Sequence, residues 1–441
     1  MRLTVIGTGY VGAVHAACMA ELGHEVLGVD IEADRIGALA AGRPPFYEPG
    51  LSALLQRAVD SGRLRFTTST AEAAGFADTH FVCVGTPQRA DSGAADLRYV
   101  DAAVDGLAPY LRDGGHGPVL VVGKSTVPVG TSERLRQRLR TVAPDADVAW
   151  NPEFLREGRA VADTLRPERI VAGVTTEGAE ARLRRIYGPM LASGTPFIVT
   201  DPATAELVKL ASNSFLATKI SFINAMAEIC DVTGADVLTL AEAMGADSRI
   251  GPGFLAPGLG FGGSCLPKDI RALTARAVEL EAGGSVALLR EVDEINRRQR
   301  RRVVELARRL VGGTLGGRDV AVLGAAFKPL SDDVRDSPAL AVAEAVRLRG
   351  ARVRVHDPEA VDNARAAHPE LQYALDVAKA CEGADVVLHL TEWPQYREID
   401  PVTLARSVRT PALVDARNSL DAVAWRSAGW TVLAPGRPQL G

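Results

Sequence analysis

A glycine-rich turn, Gly7-Thr8-Gly9-Tyr10-Val11-Gly12, follows a strand-length apolar run at the N-terminus and precedes a helical stretch from Ala13 to Leu22. In a strand–turn–helix unit, the first glycine of a G-x-G-x-x-G motif makes the turn. The second lets the backbone approach a pyrophosphate, and the third lets the helix pack closely. The N-terminus of that helix offers N–H groups to phosphates. The motif therefore predicts a parallel α/β domain that binds a dinucleotide.

An acidic residue, Asp30, ends the next strand-like segment, at the spacing that a dinucleotide site requires. A carboxylate there accepts hydrogen bonds from ribose hydroxyls and repels the additional phosphate of NADP. The alternative interpretation is a glycine-rich turn that only packs. With strand, helix and Asp30 in register we favour the dinucleotide site, and the expected cofactor is NAD.

The strand-like segments fall into two groups separated by a helical region. RLTVIG, HEVLGVD, THFVCVG and PVLVVGKST come first, and RDVAVLGAAF, ARVRVHDP, ADVVLHL and PALVDA follow after Gly317. Helical patterns alternate with the strands in both groups, as in βαβ units. From Ala203 to about Arg309 apolar residues recur at helical spacing. The pattern predicts an α/β protein with two open parallel sheets joined by helices.

Composition excludes several classes of protein. The 441 residues carry 50 basic and 54 acidic side chains, so no global charge would attract nucleic acid or an anionic membrane. No stretch of about 18 apolar residues predicts a membrane span, and the strand-like N-terminus leaves no room for a signal peptide. The five cysteines show neither a disulfide framework nor metal-ligand spacing. We expect a cytoplasmic protein without a metal site.

Two further loops follow strands of the first group. They are Val84-Gly85-Thr86-Pro87 and Lys124-Ser125-Thr126-Val127-Pro128. Ligands of open α/β sheets bind outside the carboxyl ends of the strands, so these loops are expected to line the cofactor crevice. Either loop alone would be interpreted as an ordinary turn.

The long loop IGPGFLAPGLGFGGSC carries the candidate nucleophile, Cys265, immediately before a helical stretch expected to begin near Asp269. A thiol at a helix start, next to a cation such as Lys268, has its thiolate favoured. Asp269 lies one helical turn further on. The other cysteines, Cys18, Cys83, Cys230 and Cys381, are interpreted as small buried hydrophobes.

Two pairs of polar residues have i,i+4 spacing. Glu153 and Glu157, in NPEFLREG, would place both carboxylates on one side of a helical turn, and Lys209 and Asn213 would share a face of the first long helix. Taken alone, each pair is more typical of a solvated face than of a catalytic site.

Together these segments resemble the UDP-glucose/GDP-mannose dehydrogenase family, and within it the members that act on UDP-glucose. The resemblance rests on GTGYVG, CVGTP, KSTVPVGT, NPEFLREG, AELVKLASNSFLATKISFINA, FGGSCLPKD, GAAFKPLSDDVRDSP and TEWPQYREID, in the family's order. It implies two Rossmann-like doubly wound domains joined by a helical central domain. The expected boundaries are 1–200 for NAD, 201–309 for the central, dimerising domain and 310–441 for the UDP-sugar.

The resemblance also implies roles for individual residues. Cys265 resembles the nucleophile, Glu153 its acid/base partner, Lys209 and Asn213 the oxyanion pair, and Asp269 and Thr126 the groups that hold the hydrolytic water. Cofactor-binding residues would be Gly7, Gly9, Tyr10, Val11, Gly12, Asp30, Arg35, Gly85, Thr86, Pro87, Glu157, Lys268 and Arg335. Substrate-binding residues would be Phe154, Leu155, Arg156, Glu157, Lys209, Asn213, Arg249, Phe254, Leu255, Gly260, Phe261, Gly262, Phe327, Lys328 and Arg417. Arg249 resembles an arginine that reaches the substrate of a neighbouring subunit, so a homo-oligomer, most simply a dimer, is expected.

The implied reaction is a four-electron oxidation of UDP-glucose to UDP-glucuronate through a thiohemiacetal and a thioester on Cys265, with two NAD consumed per sugar. GDP-mannose oxidation by the same mechanism is the alternative, since those relatives share GGSCLPKD and Arg271-Ala272-Leu273. Ser264 stands where relatives acting on N-acetyl-hexosamine nucleotides carry histidine, which disfavours those substrates. A catalytically silent sensor and a two-electron NAD dehydrogenase are the remaining hypotheses. The silent sensor is disfavoured because Cys265, Lys209 and Asp269 are all present, and the two-electron enzyme leaves Cys265 without a role.

Overall fold

The computed structural model describes residues 1–111 and 118–438. The chain divides into an N-terminal unit, residues 1–212 and 271–281, and a C-terminal unit, residues 213–270 and 282–441. Each unit contains one β-sheet. Within the described ranges every helix is too short or too polar to cross a lipid bilayer.

The N-terminal unit contains an eight-stranded sheet with the order β3-β2-β1-β4-β5-β6-β7-β8. Its strands are β1 (Arg2–Ile6), β2 (Glu25–Val29), β3 (Leu64–Thr67), β4 (Thr79–Val82), β5 (Leu120–Gly123), β6 (Asp147–Trp150), β7 (Ile170–Gly173) and β8 (Phe197–Thr200). All neighbours are parallel except β6 and β7, which meet antiparallel through the pair Trp150 and Gly173. The strand order reverses direction between β1 and β4, where open α/β sheets form their ligand crevice.

Helices cover both faces of this sheet. They are α1 (Tyr10–Glu21), α2 (Ala33–Ala40), α3 (Leu51–Asp60), α4 (Thr70–Phe76), α5 (Arg98–Leu107), α6 (Thr131–Arg140), α7 (Ala160–Leu165), α8 (Glu177–Ile186) and α9 (Gly188–Ala192). Two apolar clusters result. One includes Leu3, Val5 and α1, and the other includes Ile6, Leu27 and Val121. Strands buried on both faces explain why the sequence shows continuous apolar runs here.

Four longer helices follow in the sequence: α10 (Pro202–Thr233), α11 (Val237–Gly245), α12 (Leu266–Glu279) and α13 (Ala287–Leu310). Their position confirms the helical region expected from Ala203 to about Arg309. The loop between α11 and α12 carries the glycine-rich segment that ends at Cys265.

The C-terminal unit contains a six-stranded, wholly parallel sheet with the order β11-β10-β9-β12-β13-β14. Its strands are β9 (Asp319–Leu323), β10 (Arg352–His356), β11 (Gln372–Tyr373), β12 (Val386–His389), β13 (Ala412–Asp415) and β14 (Thr431–Leu433). The helices are α14 (Pro338–Arg347), α15 (Val361–Ala367), α16 (Val377–Cys381), α17 (Pro394–Arg397), α18 (Pro401–Ala405) and α19 (Ala422–Ser427). A single large apolar cluster surrounds β9, β12 and β13. The α/β prediction with two parallel sheets is confirmed.

Two predicted helix starts are corrected. Helix α1 begins at Tyr10 rather than Ala13, because extended Gly9 is the N-cap and the helix starts immediately after it. Helix α12 begins at Leu266 rather than near Asp269, because a proline in the first turn, Pro267, is compatible with a helix start.

Candidate active site

The glycine turn has the geometry that a pyrophosphate needs. Gly7 has φ of +87°, and a β-carbon on Gly12 would lie 1.8 Å from the carbonyl oxygen of Gly7. A β-carbon on Gly9 would instead meet no described atom within 4 Å, at the point where α1 presents its first N–H groups. The residues present therefore fit a phosphate group against the helix N-terminus.

Asp30 lies at the end of β2, next to this turn. Its Oδ2 accepts hydrogen bonds from the Thr8 N–H at 2.8 Å and from Arg35 Nη1 at 3.0 Å. Burial raises the pKa of Asp30, but hydrogen bonds from the backbone of Glu32 and Thr8 and the Arg35 guanidinium outweigh it, so that pKa lies below its usual range. The group is a carboxylate at neutral pH, which suits ribose hydroxyls.

The two loops after β4 and β5 are tied to each other. Thr86 Oγ1 donates to the carbonyl oxygen of Thr126 at 2.8 Å, and Ser125 Oγ donates to that of Val84 at 2.7 Å. A β-carbon on Gly85 would meet no described atom within 4 Å. Both loops therefore lie at the carboxyl ends of neighbouring strands, where a crevice was predicted.

The segment after β6 brings Glu153 against Lys209 of α10. Glu153 Oε1 lies 2.9 Å from Lys209 Nζ, and both side chains are buried. Glu153 Oε2 also accepts the Leu155 N–H at 2.7 Å. A buried ion pair is retained more often for function than for stability, because desolvation offsets most of its attraction.

The predicted helical turn that would place Glu153 and Glu157 on one side is wrong. Residues 151–156 form no regular element. Glu153 accepts a hydrogen bond from the backbone two residues further on, and such local bonds compete with a helix. Gly158 then has φ of +77°, which ends any helical path.

Aromatic and charged neighbours accompany this turn. The Phe154 ring centroid lies 4.0 Å from the guanidinium carbon of Arg169 and 5.6 Å from Lys209 Nζ. Arg156 pairs with Asp163 at 2.7 Å. Of the predicted substrate residues in the turn, Phe154 therefore lies next to the buried ion pair, whereas Arg156 is directed to a surface carboxylate.

Glu48 is a residue that the sequence reasoning missed. Its carboxylate accepts the N–H groups of Gly158 at 2.6 Å and Ala160 at 2.7 Å, together with the Tyr10 hydroxyl. Burial and the Glu48 carboxylate raise the pKa of Tyr10, which stays a neutral hydroxyl. The glycine turn and the NPEF segment are thus connected through one buried carboxylate. A lone acidic residue in the loop before α3 carried no motif that could have indicated this.

In the C-terminal unit, Cys265 immediately precedes α12 and is partly exposed. Cys18, Cys83, Cys230 and Cys381 are buried, as predicted. Burial raises the pKa of Cys18, Cys83 and Cys381 to about 12, so they are thiols at neutral pH. Cys265 is therefore the cysteine that solvent-borne substrate can reach.

Asp269 begins the second turn of α12 and donates the first helical hydrogen bond, from its N–H to the Cys265 carbonyl at 2.9 Å. Its carboxylate is buried and accepts from Asn213 Nδ2 and from Lys268 Nζ, each at 2.6 Å. Three of the predicted site residues thus form one cluster one helical turn from the cysteine.

The glycine loop before Cys265 is held by Asn296 and Arg417. Asn296 accepts the Phe261 N–H at 2.8 Å and donates to the Phe261 carbonyl at 2.9 Å. Arg417 Nη1 donates to the Gly260 carbonyl at 2.9 Å. Gly260 has φ of +96°, and a β-carbon there would lie 2.2 Å from Asn296 Oδ1. The Gly260–Phe261 peptide is therefore fixed in position.

Asn296 was not predicted. It is a buried amide on the apolar stripe of α13, in line with Val292 and Val303, and a polar residue on such a stripe is the feature that could have identified it. Other predicted members of the loop differ in exposure. Leu255 is buried, and Phe254 is exposed with φ of +64°.

The loop after β9 carries Phe327 and Lys328. A β-carbon on Gly263 would lie 2.7 Å from the Phe327 ring, and Lys328 Nζ lies 5.5 Å from its centroid. Arg417 also donates to the Phe327 carbonyl at 3.1 Å. The predicted substrate residues Phe327 and Arg417 are thus brought together with Gly260 and Gly263 in the C-terminal unit, and Lys328 lies next to Phe327.

Asp357 ends β10, as Asp30 ends β2. Its Oδ2 accepts from the N–H groups of Ala325 and Ala326 and from the Trp393 indole at 2.7, 3.0 and 3.1 Å. Its Oδ1 accepts from the backbone of Glu359 and Ala360. This carboxylate is therefore occupied by its own loops.

Two predicted arginines lie at the surface. Arg249, after α11, pairs with Asp247 at 2.6 Å and its side chain is 87% exposed. Arg335 pairs with Asp333 at 2.8 Å, and its carbonyl accepts the Gly263 N–H at 3.0 Å.

Three domain models of one enzyme family match most of the chain. Residues 1–191 match the NAD binding domain model of the UDP-glucose/GDP-mannose dehydrogenase family, residues 203–298 its central domain and residues 321–422 its UDP binding domain. A UDP-glucose 6-dehydrogenase of Rhizobium meliloti is 42% identical over 99% of this chain and 100% of the relative. That of Pseudomonas aeruginosa is 42% identical over 100% of this chain and 98% of the relative.

A solved structure is also similar. The structure of a UDP-glucose dehydrogenase from the hyperthermophilic archaeon Pyrobaculum islandicum matches with a TM-score of 0.89 and 42% identity. The match covers 98% of each chain.

Proposed function

This chain belongs to the UDP-glucose/GDP-mannose dehydrogenase family, and we propose that it oxidises UDP-glucose to UDP-glucuronate with NAD as the oxidant. The observation that carries the proposal is the placement of Cys265. It alone among the five cysteines is partly exposed, at the start of a helix and one turn from the buried Asp269 cluster. A two-electron dehydrogenase would have no use for such a thiol.

The N-terminal unit supplies the cofactor site. The glycine turn, the start of α1 and the carboxylate of Asp30 would hold NAD, with Gly85 and Thr86 lining the crevice. When bound, NAD accepts one hydride equivalent from the sugar carbon, so two NAD are needed to convert an alcohol to an acid.

Glu153 would act as general base on the C6 hydroxyl in the first oxidation. Its partner Lys209, with Asn213, would stabilise negative charge that develops on the sugar oxygen, a contribution of about 3 to 4 kcal/mol per donor in other acyl-transfer sites.

Cys265 would then hold the aldehyde. Its sulfur adds to the carbonyl carbon and the carbonyl oxygen takes a proton, which gives a thiohemiacetal. The second oxidation converts this to a thioester. A water oriented by Asp269 and Thr126 and activated by Glu153 or Asp269 adds to the thioester, and cleavage of the carbon–sulfur bond releases the carboxylate and regenerates the thiol.

The sugar nucleotide would bind in the C-terminal unit, to the loop from Phe254 to Gly262, Phe327, Lys328 and Arg417, whose contacts already join these segments. UDP-glucose is favoured over GDP-mannose because the curated relatives at about 40% identity are named UDP-glucose 6-dehydrogenases. Ser264 in place of histidine disfavours N-acetyl-hexosamine nucleotides.

We also propose three domains, residues 1–200, 201–309 and 310–441, and assembly as a homodimer through the second. An apolar row on α10, Phe215, Phe222 and Ile229, recurs every seven residues and is exposed. Such a row is typical of a helix that packs against another. The exposed Arg249 side chain would then contact the partner's substrate.

A substrate panel tests the proposal. UDP-glucose, UDP-galactose, GDP-mannose and UDP-N-acetyl-sugars are each incubated with NAD, and NADH is followed by absorbance. We expect turnover with UDP-glucose and two NADH per sugar consumed. One NADH per sugar would contradict the thioester route, and preferred turnover of GDP-mannose would support the alternative substrate.

A further inference from the structure

Lys124 is a buried cation at the end of β5 that the proposed reaction does not use. Its side chain is 8% exposed, and its Nζ donates to Asn151 Oδ1 at 3.1 Å and to the Asn151 carbonyl at 3.4 Å. Among the described residues no carboxylate oxygen lies within 4.0 Å of this nitrogen. A buried ammonium without a carboxylate partner costs stability, and such groups are concentrated at functional sites.

Asn151 connects Lys124 to the proposed base. The Tyr187 hydroxyl also donates to Asn151 Oδ1, at 2.5 Å, and Asn151 Nδ2 donates to the Val171 carbonyl at 2.8 Å. The residue lies where the sheet changes from parallel to antiparallel, between β6 and β7. Pro152 and Glu153 follow directly, so the Lys124–Asn151–Tyr187 network fixes the start of the turn that carries Glu153.

The titratable groups that face Lys124 do not neutralise its positive charge. Glu153 is already paired with Lys209 at 2.9 Å, so that pair is neutral as a whole. Cys83, His15 and Tyr187 are neutral at pH 7, because burial raises the pKa of Cys83 to about 12, lowers that of His15 and raises that of Tyr187. Lys124 and these five groups together therefore carry one net positive charge at neutral pH.

We infer that Lys124 is a positioning residue for this reaction: through Asn151 it fixes the turn that carries Glu153, and its uncompensated charge favours negative charge on the reacting oxygen. The inference rests on the proposed role of Glu153. Lys124 itself is buried beneath this turn. It acts through its hydrogen bonds to Asn151 and through the electrostatic field of its positive charge. Burial lowers the pKa of Lys124 to about 8, so this charge is present at neutral pH and is lost as the pH rises above 8.

The test is Lys124→Met, which keeps the volume of the side chain and removes its charge. We expect kcat to fall roughly 10- to 100-fold, the effect of one unit charge several ångströms away in a protein interior, with KM for UDP-glucose and NAD changed less than about threefold. Wild-type kcat should decline above pH 8, and Lys124→Met should lack that decline. Tyr187→Phe is the matched control, because it removes a hydrogen bond to Asn151 and keeps the charge, so the alkaline decline should remain.

A second variant tests the role of the Lys124 charge if Lys124→Met does not fold. Asn151→Asp places a carboxylate next to the ammonium, so the alkaline decline in kcat should move to higher pH. An unchanged decline in a folded Lys124→Met or in Asn151→Asp would overturn the inference. Glu153→Gln is measured in parallel. If it is inactive while Lys124→Met is normal, only the inference fails, whereas a fully active Glu153→Gln contradicts the proposed function.

Discussion

The ammonium of Lys209 lies 2.9 Å from a carboxylate oxygen of Glu153, and both side chains are buried. Since each group neutralises the other in a site that water barely reaches, neither can be changed without altering the charge felt by its partner. The pair thereby places a carboxylate next to a cation at the end of β6, where a general base is proposed.

Glu153→Gln should therefore lower kcat by roughly 10²- to 10⁴-fold, the range for loss of a general base. The neutral amide keeps the shape of the side chain but cannot take a proton. Steady-state kinetics measure the effect, and Glu133→Gln, at an exposed glutamate of α6, is the control. A fall in kcat of less than about tenfold would show that another group removes the proton.

Cys265→Ser should lose turnover by orders of magnitude while NAD and UDP-glucose still bind, because the hydroxyl is a much weaker nucleophile than the thiol. Kinetics and calorimetric titration measure the two properties. Cys230→Ala, at a buried cysteine, should keep activity. Near-normal formation of UDP-glucuronate by Cys265→Ser would eliminate the thioester from the mechanism.

Asp30→Asn should weaken selection of NAD over NADP. The variant loses the negative charge that accepts hydrogen bonds from Thr8 and Arg35. The guanidinium of Arg35 then becomes available to a phosphate. We expect the ratio of kcat/KM for NAD to kcat/KM for NADP to fall at least about tenfold, as for loss of one charged hydrogen bond. Glu32→Gln, two residues on, is the control, and an unchanged ratio would assign the selection to other residues.

The stability of the protein should rise with pH through Lys124. Its pKa is about 8 in the folded protein against an ordinary value of 10.5, so between these pH values the unfolded chain binds more protons. As the pH rises from below 8 to above 10.5, the free energy of unfolding of the wild type should increase by roughly 3 kcal/mol relative to that of Lys124→Met. Thermal unfolding of both proteins over this range measures the difference, and a constant difference would contradict the buried charge.

Asn296→Ala should loosen the glycine loop before Cys265. Two hydrogen bonds to Phe261 are lost, and their buried partners remain unsatisfied, at a cost of about 1 to 3 kcal/mol. We expect a raised KM for UDP-glucose and faster alkylation of Cys265 by iodoacetamide. Asn363→Ala, at an exposed asparagine, is the control, and an unchanged KM would exclude a role for this contact in substrate binding.

Much of the fold was predictable because strands buried on both faces are nearly continuous apolar segments, as in β4, β5 and β12. Strands such as β3 and β8 escaped prediction since they are short and partly exposed, so neither their length nor their pattern distinguishes them from loops. Helix ends shifted by three residues where a glycine cap or an early proline determined the start.

At the candidate site, motifs indicated residues that occur in characteristic local sequences, such as Cys265 and Asp30. Contacts between segments far apart in the sequence could not be predicted from such motifs. The bonds from the Gly158 N–H to Glu48 and from the Phe261 N–H to Asn296 join residues 110 and 35 positions apart, and no local pattern encodes such a distance. The helical turn considered for Glu153 and Glu157 does not form, because the competing bond from the Leu155 N–H to Glu153 depends on conformation rather than on spacing.

Asp30 and Asp357 follow equivalent strands of the two sheets, but their carboxylates differ in the hydrogen bonds that they accept. Asp357 receives five donors from the chain itself, two of them on Oδ1, whereas Asp30 receives four, with only the Glu32 N–H on Oδ1. The Asp30 carboxylate therefore keeps more acceptor capacity for ribose hydroxyls than the Asp357 carboxylate does. The first six strands of the first sheet and the six strands of the second follow one order, and the first unit matches an NAD binding domain while the second matches a UDP binding domain, in line with this difference between the two carboxylates.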